Sequence, residues 1–113
     1  MKSYKEINKD QNAFAREYRK SSPEILDGFM AMHKAAMEEG ALTVKVKEMM
    51  ALSIGIASRC DGCIASHAKA ALRAGATREE LIETINVALM MGGGPAVIYG
   101  TQALAAVDEF LAD

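Results

Sequence analysis

The sequence predicts an all-α fold, a single-domain helical bundle of about six helices. Three observations carry that reading. Apolar residues recur at helical spacing through most of the chain, and no segment alternates convincingly enough to read as a strand. The composition suits helices: half of the residues are hydrophobic, methionine occurs eight times, proline only twice, and aromatics make up 5% with no tryptophan. The core must therefore be built from Ala, Leu, Ile, Val and Met. Finally, turn signals at Ser22-Pro23, Gly40, Gly75 and Gly92-Gly93-Gly94-Pro95 cut the chain into pieces of helix length. A chain of 113 residues has room for one domain, 1–113, with N-terminal helices over 1–40 and a motif-bearing core over 41–113. It contains no internal repeat and no low-complexity segment.

The first helix runs from about Tyr4 to Lys20, with Ile7, Phe14 and Tyr18 on a broad face. Ser22 then precedes Pro23, a favoured first helical residue, and the second helix runs to about Glu39 and stops at Gly40. Ile25, Leu26, Phe29, Met30 and Met37 give it an apolar stripe, with Met32 and His33 near its edge. Thr43 can cap a third helix, about Val44 to Ser58. Its stretch from Met49 to Ala57 carries no charge on any face and is expected to be buried all round. The fourth helix starts near Cys60 and ends at Gly75, a good C-terminal stop. Thr77-Arg78-Glu79-Glu80 is a capping box that opens a fifth helix to about Met91. The triple glycine breaks the chain, and Pro95 starts a sixth helix ending near Leu111. Those glycines lack the Gly-Lys-Ser/Thr ending of a phosphate loop and read as a helix break with close backbone packing.

Thirteen basic and fifteen acidic residues leave a formal net charge of −2. Residues 1–59 carry ten basic and eight acidic groups, and residues 60–113 carry three and seven. Neither half has the dense basic surface that nucleic-acid binding needs. No run of about 18 uncharged apolar residues could span a membrane. The opening Met1-Lys2-Ser3-Tyr4-Lys5-Glu6 has no apolar signal-peptide core. A cytoplasmic location is expected, where thiols are mostly kept reduced.

The chemistry concentrates in Cys60-Asp61-Gly62-Cys63-Ile64-Ala65-Ser66-His67, which holds both cysteines of the chain. On a helix, Cys60, Cys63 and His67 fall within about 60° of one another on successive turns. Cβ atoms three residues apart lie about 5–6 Å from each other, so a modest adjustment brings the two sulfurs into bonding range. The pair can switch between dithiol and disulfide without refolding the domain. The first turn of a helix also favours a thiolate through its free N–H groups and dipole. Arg59 adds a positive charge nearby, and Asp61 partly opposes it. Lowering a thiol pKa by two takes roughly 2.7 kcal/mol, and a helix terminus supplies only about 0.3–1 kcal/mol of it. His67, one turn away, is the natural proton acceptor. Glu48 sits twelve residues before Cys60, where the third helix becomes wholly apolar. A carboxylate there needs a partner, and Glu48 can orient His67 if the third and fourth helices fold back on each other.

Glu48 followed by Cys60-x-x-Cys63-x-x-x-His67, within the segment from Glu48 to Ala96, resembles the alkylhydroperoxidase D-like branch of the carboxymuconolactone decarboxylase family. The resemblance covers roughly the C-terminal two-thirds of the chain. It implies an all-helical fold assembled into trimers or hexamers. It implies that Cys63 is the peroxidatic cysteine, that Cys60 resolves its sulfenic acid as a disulfide, and that His67 and Glu48 form a proton relay to the pair. The expected activity is that of a thiol-dependent antioxidant oxidoreductase, a peroxidase or disulfide reductase. The substrate would be a small hydroperoxide, and the reductant a thioredoxin-like or lipoyl-bearing protein. Alkylhydroperoxidase D carries a second histidine between its cysteines; here that place is Gly62, which leaves the relay one member short.

Other readings of the same residues differ in what they require. A lyase like the family's namesake would act without the cysteine pair. Two buried cysteines would be inert small residues. Cys60, Cys63, His67 and Glu48 could together hold zinc in a non-catalytic module, although no second Cys-x-x-Cys completes the usual structural site. A redox-sensing module would keep the dithiol but perform no turnover. The redox reading calls for no cofactor and no metal. His33 reads as a structural or partly exposed residue of the second helix, with lining of the substrate pocket as the alternative, and Tyr99 as a packing residue, with approach to the site as the alternative. The third and fifth helices present more apolar surface than so small a monomer can cover, so a homo-oligomer is expected, with contacts at Met49 to Ala57 and Val87 to Met91.

Overall fold

The Ser3 hydroxyl accepts the Glu6 N–H at 3.2 Å and so starts the first helix, α1, Tyr4–Ser21. The computed structural model describes residues 2–113. Five further helices follow: α2 Pro23–Met37, α3 Val44–Ala57, α4 Asp61–Arg73, α5 Arg78–Gly92 and α6 Gly94–Leu111. No strand occurs among the described residues. The expected all-α bundle of six helices is therefore the observed fold, with boundaries that move by one or two residues.

Each boundary has a local cause. Thr43 caps α3 by accepting the Val46 N–H at 3.2 Å. Thr77 and Glu80 form the expected capping box at the start of α5. The second helix stops at Met37, short of Gly40, because Glu38 is already extended. Lys47 of α3 donates from Nζ to the free carbonyls of Ala36 and Glu38 there, an interaction that closes the helix end. The fourth helix begins at Asp61, with Cys60 as its cap, and α6 begins one residue ahead of Pro95.

The core lies between α3, α4, α5 and α6, with Tyr4 of α1 sealing one side. Leu52, Ile56, Ile64, Leu81 and Val107 are its large buried side chains. Alanines supply much of the rest: Ala65, Ala68 and Ala71 from α4, and Ala96, Ala103 and Ala106 from α6. Small residues on facing helices let backbones approach closely and pack densely. Fully burying each large aliphatic stabilises the fold by about 1.5–3 kcal/mol before entropy is counted.

Two expectations about burial are corrected. The Met49–Ala57 run is not buried all round: Leu52, Gly55 and Ile56 face the core, whereas Ile54 is 63% exposed and Met50 49%. The helices packed on α3 leave that one apolar stripe uncovered in a single chain. The broad face of α1 divides as well. Ile7 packs on the core, while Phe14 and Tyr18 lie exposed, as do Ile25, Phe29, Met30 and Met32 of α2. No residue of α2 is buried.

Candidate active site

Gly55 permits the closest approach between α3 and α4. A Cβ built there would stand 3.0 Å from the Cβ of Cys63 and 3.6 Å from its carbonyl carbon. Any side chain at position 55 would push the Cys63 turn of α4 away from α3. Gly55 also helps to end α3. Its carbonyl accepts the Cys60 N–H at 3.0 Å, while that of Ile56 accepts the Arg59 N–H at 3.0 Å. These two bonds form a Schellman closure of α3. The left-handed position in that closure, usually glycine, is held by Arg59 at φ +56°. Arg59 was expected to act through its charge; its backbone makes the corner that delivers Cys60 to the head of the next helix.

Cys60 caps α4 with its sulfur. Its Sγ accepts the Cys63 N–H at 3.1 Å, so an unpaired donor of the helix N-terminus points at that atom. The two cysteines are joined as a disulfide with their Cα atoms 5.2 Å apart, inside the ordinary range for such a bond. Both residues are partly exposed. In this oxidised form neither sulfur is free to hold a metal, and no group of three or more His, Cys, Asp or Glu among the described residues is arranged to do so.

His67 lies one turn beyond Cys63 on the same helix, and Glu48 reaches it from α3. Glu48 Oε1 is 2.6 Å from His67 Nδ1. Glu48 is buried, at 8% exposure, and His67 is partly covered. Buried carboxylates are costly unless paired, and this bond gives Glu48 its partner. With Nδ1 donating to the carboxylate, Nε2 is the atom left to exchange protons on the open side of the ring. The four side chains singled out from the sequence form two bonded pairs. Glu48 and His67 bond directly, Cys60 and Cys63 bond directly, and His67 shares a helix face with Cys63.

Several neighbours escaped the sequence reading. Asp61, between the cysteines, is engaged by the N-terminal segment: Lys2 Nζ donates to its Oδ2 at 2.8 Å and to Gln102 Oε1 at 2.7 Å. The Tyr4 hydroxyl lies 3.2 Å from Asp61 Oδ1 and 3.1 Å from Gln102 Oε1 and shares its one proton between them. Burial, followed by the Asp61 charge, pushes the Tyr4 hydroxyl well above the ordinary tyrosine range, so it acts as a neutral donor. Lys2 also sits 5.3 Å from the centre of the Tyr99 ring. The negative charge beside the cysteines is therefore matched by Lys2, not by Arg59. His33 of α2 is a further arrival, its ring centre 6.2 Å from that of His67. Partners so far apart in sequence leave no spacing signal. Gly55 left one, as a lone glycine inside an apolar helix.

Comparison with known proteins finds relatives that match most of the chain. The profile of the carboxymuconolactone decarboxylase family matches residues 23–108. A carboxymuconolactone decarboxylase family protein from Legionella pneumophila has a TM-score of 0.92 and 41% identity, covering 95% of this chain and 96% of that one. A family member from Thermotoga maritima, for which a role in the antioxidative response has been suggested, has a TM-score of 0.84 and 26% identity over 95% of this chain and 91% of its own. An uncharacterised protein of Cupriavidus necator is 37% identical over 103 residues, 91% of this chain and 88% of that protein.

Proposed function

This chain belongs to the carboxymuconolactone decarboxylase family, and on that basis we propose that it is a thiol-dependent antioxidant oxidoreductase of the alkylhydroperoxidase D-like branch. The observation that carries the reading is the Cys60–Cys63 disulfide at the head of α4, one turn from a histidine that is held by a buried glutamate. The antioxidative role suggested for the Thermotoga maritima relative is consistent with it.

In the proposed cycle the Cys63 thiolate attacks the terminal oxygen of a hydroperoxide. The O–O bond breaks, sulfur is oxidised to sulfenic acid, and the departing alkoxide takes a proton from His67 to leave as an alcohol. Cys60 then attacks the sulfenic sulfur and expels water as the disulfide forms. A dithiol reductant, thioredoxin-like or lipoyl-bearing, attacks Cys63 to form a mixed disulfide as Cys60 leaves as a thiolate, and the reductant's second thiol then closes its own disulfide and releases the Cys63 thiolate. The Cys63 N–H aimed at Cys60 Sγ would stabilise the Cys60 leaving group. Glu48 keeps the imidazole oriented throughout and offsets the charge it acquires.

No helix among the described residues is long and apolar enough to cross a membrane. A reducing cytoplasm would supply the dithiol partner. The exposed stripes, with Met50, Ile54, Val87 and Met90 on one side and Phe29 and Met30 on another, support a homo-oligomer, either a trimer or a hexamer.

Steady-state consumption of an organic hydroperoxide with a dithiol reductant tests the chemistry. Cys63→Ser is expected to abolish it, and Cys60→Ser to permit one turnover and then stop. Activity retained in Cys63→Ser would end the assignment. Turnover of a carboxymuconolactone that survives both substitutions would support the lyase reading instead.

A further inference from the structure

The Glu48–His67 bond leaves one motion of the imidazole unconstrained. The His67 side chain has two torsions, and a single hydrogen bond at Nδ1 fixes one distance, so coupled rotation about those torsions still tilts the ring and carries Nε2 with it. Something must hold the plane of the ring. Within the chain, the aromatic group against that plane is His33. Its ring centre is 6.2 Å from that of His67 and the two planes differ by 19°, an offset stack.

The placement of His33 is built, although α2 has no buried residue of its own. Near its start α2 is tied to α1 by Arg19 and Asp27, through paired bonds of 2.7 and 3.2 Å. At its end Lys47 holds the carbonyls of Ala36, at 2.9 Å, and Glu38. Lys47 and Glu48 are neighbours on α3. One therefore positions the turn of α2 that carries His33, while the other grips His67. Consecutive residues of one helix bring the two imidazoles together from two different elements.

We propose that His33 is a positioning residue of the redox site, whose ring lies beside and nearly parallel to that of His67 and, with Glu48, limits how the imidazole can turn. It acts through His67 and touches no reacting atom. Its chemical consequence rests on the proposed redox function, but the stack itself can be tested without peroxide.

The test is the rate at which iodoacetamide alkylates the fully reduced protein at pH 7. His33→Ala is expected to slow alkylation about threefold to tenfold, the range of one aromatic pair. His33→Phe restores a ring face and is expected to return the rate to within about twofold of wild type. In a His67→Gln background, His33→Ala should add nothing, because the residue it acts through is gone. His33→Gln, which keeps a polar side chain without a ring, repeats the alanine result if the alanine variant folds poorly. Wild-type rates in both His33→Ala and His33→Gln would overturn the proposal. So would a His33→Phe protein as slow as the alanine variant, or an equal slowing by His33→Ala with and without His67. If the alkylation pattern holds but the wild-type protein consumes no hydroperoxide, the peroxidase reading falls and the assignment of His33 stands.

Discussion

Helices α4 and α2 are of similar length, thirteen and fifteen residues, and each carries one histidine of the stacked pair. They are held in opposite ways. In α4, Ile64, Ala65, Ala68 and Ala71 are buried and its neighbours are α3, α6 and α1. In α2 nothing is buried, and its large side chains, Ile25, Phe29, Met30 and Met32, are more than half exposed. Apolar content does not separate the two. The alanine face of α4 lets other backbones close in, whereas the long side chains of α2 meet no element of this chain that could cover them. The two cysteines thus stand on a platform fixed by core packing. His33 rides on an element fixed by a few polar ties and by whatever covers α2 in an assembly.

The two helices should part most clearly in stability. Ile64→Ala should cost about 2–5 kcal/mol, read as a lower urea midpoint. Phe29→Ala should change the stability of one chain by no more than about 0.5 kcal/mol and show itself in the mass measured by light scattering. Equal losses at both sites would mean that α2 belongs to the folding core. Next comes Gly55→Ala, which forces a methyl group against Cys63. Overpacking of this kind should cost about 1–3 kcal/mol and slow the alkylation of Cys63; an unchanged rate would show that the α3–α4 gap does not set the cysteine geometry.

Smaller effects belong to the corners. Both ends of α4 adjoin Schellman closures, one with Arg59 at φ +56° and one with Gly75 at φ +98°. Arg59→Gly relieves a left-handed non-glycine residue and should stabilise the fold by about 0.5 kcal/mol after the entropy of glycine is subtracted. A loss there would mean that the arginine side chain matters. The smallest effect concerns the N-terminal segment. Bonds from the Ser3 hydroxyl, then the Lys5 and Tyr4 N–H groups, hold the Glu109 carboxyl below the ordinary glutamate range. A lowered carboxyl pKa in the folded state contributes stability that is present above the ordinary value, about 4.3, and lost as pH falls toward and through the folded value. The protection of amides near Tyr4, measured as exchange relative to the intrinsic rate at the same pH, should therefore fall below about pH 4 in the native protein, and less so in Glu109→Gln.

Most of the fold was legible because its signals are local. Thr43, Thr77 and Gly75 mark helix ends by their own chemistry, and those ends lie within a residue or two of where the sequence puts them. The candidate site was legible for a related reason: the Cys-x-x-Cys spacing with His67 one turn further on is local, although Cys60 caps α4 and does not join its helical face, and Glu48 advertised itself as a charge at the edge of an apolar run. What sequence could not convey is what covers what. A pattern marks Ile54 and Met50 as apolar but not as uncovered. His33 and His67 are 34 residues apart in sequence, and Tyr4 and Asp61 meet across 57. Those meetings are products of packing.

If Cys60 and Cys63 form one redox unit served by the Glu48–His67 pair, a single turnover should expose it. Fully reduced protein is mixed with one equivalent of organic hydroperoxide, and after quenching the free thiols are counted and the peptides mapped. Both thiols should disappear together, a Cys60–Cys63 disulfide should account for them, and Glu48→Gln should slow the step about a hundredfold. Two free thiols per chain with the peroxide intact, or a Glu48→Gln protein as fast as wild type, would contradict it.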